Sequence, residues 1–194
     1  MALDAAIPAS ISWFRFEDVS PVSPQTEAVF AAIRGELGCV RNQQRAPAKP
    51  QTLGALGALD DAVGRDEQAV LTPRERELIA LVVSVENRCE NCVLAHAAAL
   101  RGHGGDADWV AMIEVDYRRT YLTGRERALA DYAIKVTRAP AEIDPTDLQP
   151  LRDAGVPEQG VLEAAAVAAY LNFSNRFNST LGVRANAEAL QAHR

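Results

Sequence analysis

LTPRERELIALVVSVENRCENCVLAHAAAL, residues 71–100, holds both the fold and the chemistry of this chain in thirty positions. Thr72 reads as a helix N-cap, Pro73 takes the first helical position, and Glu75 supplies the carboxylate of a capping box. Leu78, Leu81, Val82 and Val85 then recur at helical spacing, which predicts a buried face on a helix over about 73–86. Asn87 and Arg88 interrupt that pattern, and a second helix is expected from about Cys89 to Leu100. RGHGGD (101–106), with three glycines, ends it. Two helices joined by so short a turn lie antiparallel as a hairpin.

The same opening returns downstream. L-T-x-R-E-R-x-L stands at 71–78 and again at 122–129, 51 residues on, each time with a threonine cap and a glutamate three positions later. An internal duplication is the economical reading, with repeat cores at about 71–100 and 122–182. In it the long helix GVLEAAAVAAYLNFSNRFNSTLG (160–182) takes the place of the cysteine-bearing helix. Alanine and leucine dominate and β-branched alternation is scarce, so the expected class is all-α, built from helical hairpins. Residues 1–22 read as an N-terminal arm, in which ISWFRF (11–16) finds no partner strand nearby. Residues 23–185 read as one helical domain and 186–194 as a tail. Within the domain, Ser23–Pro24 starts a helix that runs to about Gly38. CVRNQQRAPAKPQ (39–51) reads as a loop, and Leu53 to Val63 as a short helix.

Composition narrows the function. Hydrophobic residues at 48% and charged residues at 24% are the balance of an ordinary globular protein. A net charge of −6 argues against nucleic acid or an anionic membrane as partner, since both require a basic face. No apolar run approaches a membrane span, and MALDAAIPAS lacks the basic-then-apolar order of a signal peptide, so a cytoplasmic protein is expected. Three cysteines, two of them in C-x-x-C, fit a redox or metal role better than a disulfide scaffold.

The chemistry centres on four residues. Cys92 and His96 are an i, i+4 pair on one helix face, so the imidazole is placed to deprotonate Cys92. A thiolate there gains from the unpaired N–H groups of the first helical turn. Cys89, one turn earlier, reaches the sulfur of Cys92 to close a disulfide. Glu77 precedes the turn at 87–88 by about as far as His96 follows it, so a hairpin brings the two level and lets Glu77 fix the imidazole tautomer. A helix running straight through would instead hold Glu77 roughly 18 Å from Cys89. Two rival readings stand beside the redox pair: inert packing of small cysteines, and a zinc site from Cys89, Cys92, His96 and Glu77. Cys39 reads as incidental, His103 as a loop residue and His193 as part of the tail.

Glu77-x11-Cys89-Glu-Asn-Cys92-x3-His96 resembles the signature of the alkylhydroperoxidase D-like proteins in the carboxymuconolactone decarboxylase superfamily. The flanking 71–100 stretch and AYLNFSNRFNSTLGV (169–183) are similar to its peroxidase-related branch. The resemblance covers most of 25–185. It implies an all-helical homo-oligomer that reduces hydroperoxides through its cysteine pair, with no bound cofactor or metal and an external dithiol or redox protein as electron donor. By the same resemblance Cys92 would attack the peroxide, Cys89 would resolve, and His96 with Glu77 would relay protons. One departure is Asn91, where family members often carry histidine or tyrosine, because an amide does not shuttle protons at neutral pH. The superfamily's decarboxylases lack the cysteine pair, so their activity is not implied. The alternative to a peroxidase is a redox-sensing or thiol–disulfide interaction module without efficient turnover.

Overall fold

A computed structural model describes residues 11–15, 22–46, 49–186 and 189 of the 194. The described elements, in chain order, are α1 (Pro24–Leu37), α2 (Asn42–Arg45), α3 (Pro50–Gly64), α4 (Pro73–Glu86), α5 (Glu90–Gly102), α6 (Ala107–Asp116), α7 (Gly124–Arg138), α8 (Gln149–Asp153) and α9 (Glu158–Thr180). Single 3-10 turns lie at Tyr117–Arg119, Pro140–Glu142 and Pro145–Leu148. The class is all-α, with no strand among the described residues.

α4 is the axis of the molecule. Its LIALVVS run (78–84) is buried on every side, as befits a helix apolar all round, and α5, α6, α7 and α9 pack against it. Both threonine caps form as their spacing requires: Thr72 accepts from the Glu75 N–H and Thr123 from the Glu126 N–H, and each glutamate closes its box. Each such cap is worth about 1 kcal/mol.

The offset of 51 persists in three dimensions. Arg74 pairs with Glu126 at 3.2 Å while Arg125 pairs with Glu75 at 2.5 Å, so the two helix starts clasp each other reciprocally. Arg74 donates to the Gly104 carbonyl and Arg125 to the Gly155 carbonyl. Those glycines, themselves 51 apart, have φ of 85° and 75°, and each ends its helix where an L side chain would be strained. The bond from Gly105 N–H to the Leu100 carbonyl has its counterpart from Val156 to Leu151.

This register corrects the expected pairing of elements. The counterpart of the cysteine helix is 141–153, not the long C-terminal helix; α9 begins where α6 does, 51 residues on. The reason is Pro140, Pro145 and Pro150, which stand where the first half has Cys89, Leu94 and Ala99. Each proline removes a backbone donor, and the segment breaks into 3-10 turns and the short α8.

Other boundaries also differ from expectation. The 39–51 stretch contains α2, and α3 begins three residues before Leu53, because Pro50 suits a first helical position. α6 was not legible: its N-cap Asp106 sits inside what reads as a glycine loop. ISWFRF does find a backbone partner, but at the far end of the chain. Trp13 N–H donates to the Leu181 carbonyl, Arg184 N–H to that of Ile11, and the indole lies against Gly182, where a Cβ would overlap the ring. Trp13 nonetheless stays 73% exposed. Phe16 and residues 187–188 and 190–194 of the tail, His193 among them, lie outside the described residues. Among the described residues no helix is long and apolar enough to cross a membrane.

Candidate active site

The hairpin turn builds the site. Asn87 ends α4, and Arg88 takes φ of 54°, a left-handed conformation that costs a non-glycine residue roughly 1–2 kcal/mol. That one residue reverses the chain. Cys89 becomes the N-cap of α5, its own N–H donating to the Ser84 carbonyl, and Cys92 falls in the first turn. The reversal brings Glu77 Oε2 to 2.8 Å from His96 Nδ1, the contact expected of a hairpin and impossible for a straight helix. Both side chains keep about a fifth to a quarter of their surface exposed. Burial pushes the imidazole pKa down, but the charges of Glu77 and Asp60 outweigh it, so His96 is raised above its ordinary value.

The cysteines are thiols with their sulfurs 2.7 Å apart, each 2% exposed. The proton arrangement differs from the one read in sequence. The thiolate was expected on Cys92; in the structure the favoured anion is Cys89, lowered to about 6, chiefly by the Cys92 S–H. Burial opposes that shift, while the Cys92 backbone N–H, Ser179 and the His96 charge add to it. Cys92 is correspondingly raised by Cys89 and by burial, and Asn175 and Asn178 pull it back. The cysteine pair itself explains the difference: the short contact lets one sulfur donate to the other, and that coupling outweighs the cost of burying a charge on Cys89.

Access runs the other way. A cavity of about 920 Å³ is lined by Cys92, His96, Glu77, Asn91, Tyr170 and Cys39 among others, and Cys89 is not on its wall. Cys39, read as incidental, thus shares a cavity with the pair, and His103, read as a loop residue, closes α5 and lines the same cavity. Asn91 is buried and donates to Gln43 on α2, so it fastens the cavity wall. Tyr170 donates to Asp60, joining α9 to α3 across the cavity. Among the described residues no three of histidine, cysteine, aspartate and glutamate are grouped so as to hold a metal ion.

Several site residues escaped the sequence reading. On α9, Asn175 is fully buried, accepts from Asn87 and donates to Ser84, while Asn178 donates to Cys92 Sγ at 3.6 Å. Asn172 also accepts from Asn87. The available signal was three asparagines at 172, 175 and 178, a spacing that keeps them near one face of a helix whose other inward residues are apolar.

The chain can be set beside known proteins. Residues 50–135 match the carboxymuconolactone decarboxylase family. A peroxidase-related protein of Silicibacter sp. TM1040, described as uncharacterized, is 32% identical with a TM-score of 0.89, over 98% of this chain and 100% of that one. A peroxidase-related protein of Ralstonia eutropha JMP134, described as an alkylhydroperoxidase AhpD core, is 29% identical with a TM-score of 0.85, over 95% and 97%. The debrominase Bmp8, at 21% identity and a TM-score of 0.70 over 96% and 98%, shares the fold. An uncharacterized protein of Haemophilus influenzae is 44% identical over 63 residues, 32% of this chain and 47% of that one. The chain thus matches about half the length of that curated relative.

Proposed function

Because the chain belongs to the carboxymuconolactone decarboxylase superfamily, among its alkylhydroperoxidase D-like proteins, we propose that it is a thiol-dependent hydroperoxidase acting through Cys92 and Cys89. The observation that carries this reading is the pairing of two thiols at 2.7 Å with a Glu77–His96 contact, where Cys92, His96 and Glu77 line one cavity.

The pair shares one negative charge. A proton passing from Cys92 to Cys89 across the 2.7 Å contact leaves the thiolate on the sulfur that faces the cavity. That thiolate attacks the terminal oxygen of ROOH; the S–O bond forms as the O–O bond breaks, giving Cys92–SOH and RO⁻. His96, whose acid form Glu77 and Asp60 favour, gives its proton to the alkoxide and releases ROH. Cys89 then attacks Cys92 Sγ, forming the disulfide and expelling hydroxide, which leaves as water with the thiol proton. An external dithiol or redox protein returns two electrons by exchange through a mixed disulfide. No bound cofactor or metal enters this scheme.

The test is steady-state consumption of organic hydroperoxides with a dithiol present. Multiple turnovers support the reading, and a single equivalent consumed without turnover overturns it. The second reading, a redox-sensing or interaction module, is favoured by one observation, the burial of both sulfurs to 2% exposure, which slows exchange with a bulky dithiol. That single-equivalent outcome would select it.

We also propose a homo-oligomer. Val115 at 80% and Tyr121 at 86% exposure, with Trp13, are large apolar side chains left in water that a subunit interface would cover. Light scattering at micromolar concentration should give at least twice the 20.9 kDa chain mass, and a monomer would refute it.

A further inference from the structure

Two sulfurs compete for one negative charge, and each has its own donors. Cys89 has the N–H of Cys92 and the Ser179 side chain. Cys92 has the asparagines of α9. Among these, Asn178 makes a contact with Cys92 Sγ, at 3.6 Å, while its amide nitrogen also donates to Ser174 at 3.3 Å. The residue is 3% exposed, and its Oδ1 meets no donor among the described residues. A buried carbonyl left without a partner in the protein makes asparagine a poor choice for packing alone. What the position retains is the N–H aimed at sulfur.

We propose that Asn178 is a further catalytic residue, whose amide N–H stabilises the thiolate on Cys92 and so draws the shared charge from Cys89 to the cavity-facing sulfur. The cavity reaches Cys92 and not Cys89, so only that placement presents a nucleophile to a substrate. Ser174, which lines the cavity, holds the amide from the preceding turn of α9. The role in turnover rests on the hydroperoxidase reading; the effect on the thiol does not, and is measured without peroxide.

Other charged or titratable groups bear on Cys92: Cys89 and His96 on α5, Glu77 on α4, Tyr170 on α9, and beyond them Asp60 on α3 and Arg41 before α2. The experiment therefore changes Asn178 alone in a Cys89→Ser background and follows iodoacetamide labelling of Cys92 against pH, resolved by peptide mass spectrometry from Cys39. Losing a hydrogen bond to a charged group should raise the midpoint by about one pH unit in Asn178→Leu. Asn178→Asp should raise it at least as far, because an anion replaces the donor. With both cysteines present, Asn178→Leu should lower the ratio of Cys92 to Cys89 labelling about tenfold. The melting temperature of Asn178→Leu should not fall, which separates this role from a structural one.

An unchanged midpoint in Asn178→Leu overturns the proposal, as does a shift seen in Asn178→Asp alone. If the leucine variant does not fold, Asn178→Ala, which removes the donor without adding a charge, decides: a raised midpoint supports the role and an unchanged one overturns it. A wild-type protein that consumes no hydroperoxide, yet shows the shift, would sink the hydroperoxidase reading and leave this inference standing.

Discussion

The two halves of the molecule share a frame and differ in chemistry. At the frame positions they agree: Thr72 and Thr123 cap, Arg74 and Arg125 cross to the opposite half's glutamate, and Leu100 and Leu151 are both fully buried. At the site positions they part. Glu77, Cys89, Cys92 and His96 correspond to Ala128, Pro140, Ile143 and Asp147. In the second half Asp147 pairs with Lys135 at 2.5 Å, an ordinary salt bridge on a half-exposed surface. The half without cysteines contributes in another way. α6 stops after 10 residues, whereas α9 starts at the matching position and runs for 23, and the added length carries Asn175 and Asn178 to Cys92, Tyr170 to the cavity wall and Asn172 to Asn87 at the turn. One half supplies the sulfur, and the other supplies the wall of donors behind it.

The largest expected effect breaks the comparison at the sulfurs. Cys92→Ser should lower hydroperoxide turnover by at least about a thousandfold, since the bond-forming atom is gone. Cys89→Ser should consume one equivalent and accumulate a sulfenic acid that dimedone traps. Placing thiols in the other half, by Pro140→Cys with Ile143→Cys on the Cys92→Ser chain, should restore no turnover, because Asp147 stands there in the place that His96 has in the first half. Recovered turnover would mean that the frame alone confers activity.

Next comes the frame itself. Leu100→Ala and Leu151→Ala each empty a fully buried position at matching places and should each cost about 2–5 kcal/mol by chemical denaturation. The two losses should agree within about 1 kcal/mol, the spread expected where surroundings relax similarly. A difference of several kcal/mol would show that the halves carry unequal loads despite their shared contacts.

The smallest effect concerns the relay. Glu77→Gln gives the first half a neutral residue, as Ala128 is in the second, and should lower kcat/KM about tenfold. The pH profile carries the sign. Cys89 is lowered to about 6, so the shared thiolate forms as pH rises through that value and is lost below it. His96 is raised, so its acid form persists above its ordinary value and disappears as pH rises further. Activity should therefore span the window between the two. In Glu77→Gln the alkaline limb should move to lower pH while the acid limb near 6 stays; an unmoved alkaline limb would exclude Glu77 from the relay.

The local signals in the sequence were reliable where one residue's chemistry decides one feature. Thr72-Pro73-x-Glu75 fixes a helix start because its donors and acceptors lie within one turn, and the same holds at Thr123. The break at Asn87–Arg88 was legible as an interrupted apolar pattern, and from it came the meeting of Glu77 and His96. The pairing of the long helix with the cysteine helix was misread, since an eight-residue match does not reveal how three prolines divide the segment that follows. α6 was hidden because its cap lies among glycines that signal a loop.

What the sequence determined by itself is the identity and spacing of the reacting groups: two thiols a helical turn apart, an imidazole one turn beyond, and a carboxylate across a short turn. These follow from helix periodicity, which acts over a few residues and is written in consecutive positions. Which sulfur holds the charge and which faces the cavity were decided only in the folded molecule. The charge is set first by the cysteine pair itself and by its burial, and then by groups about 80 to 90 residues away, Ser179 beside Cys89 and Asn178 beside Cys92, brought there by the packing of α9 against the hairpin. Hydrogen-bond donation and burial act through space over a few ångströms, and no spacing along the chain encodes them.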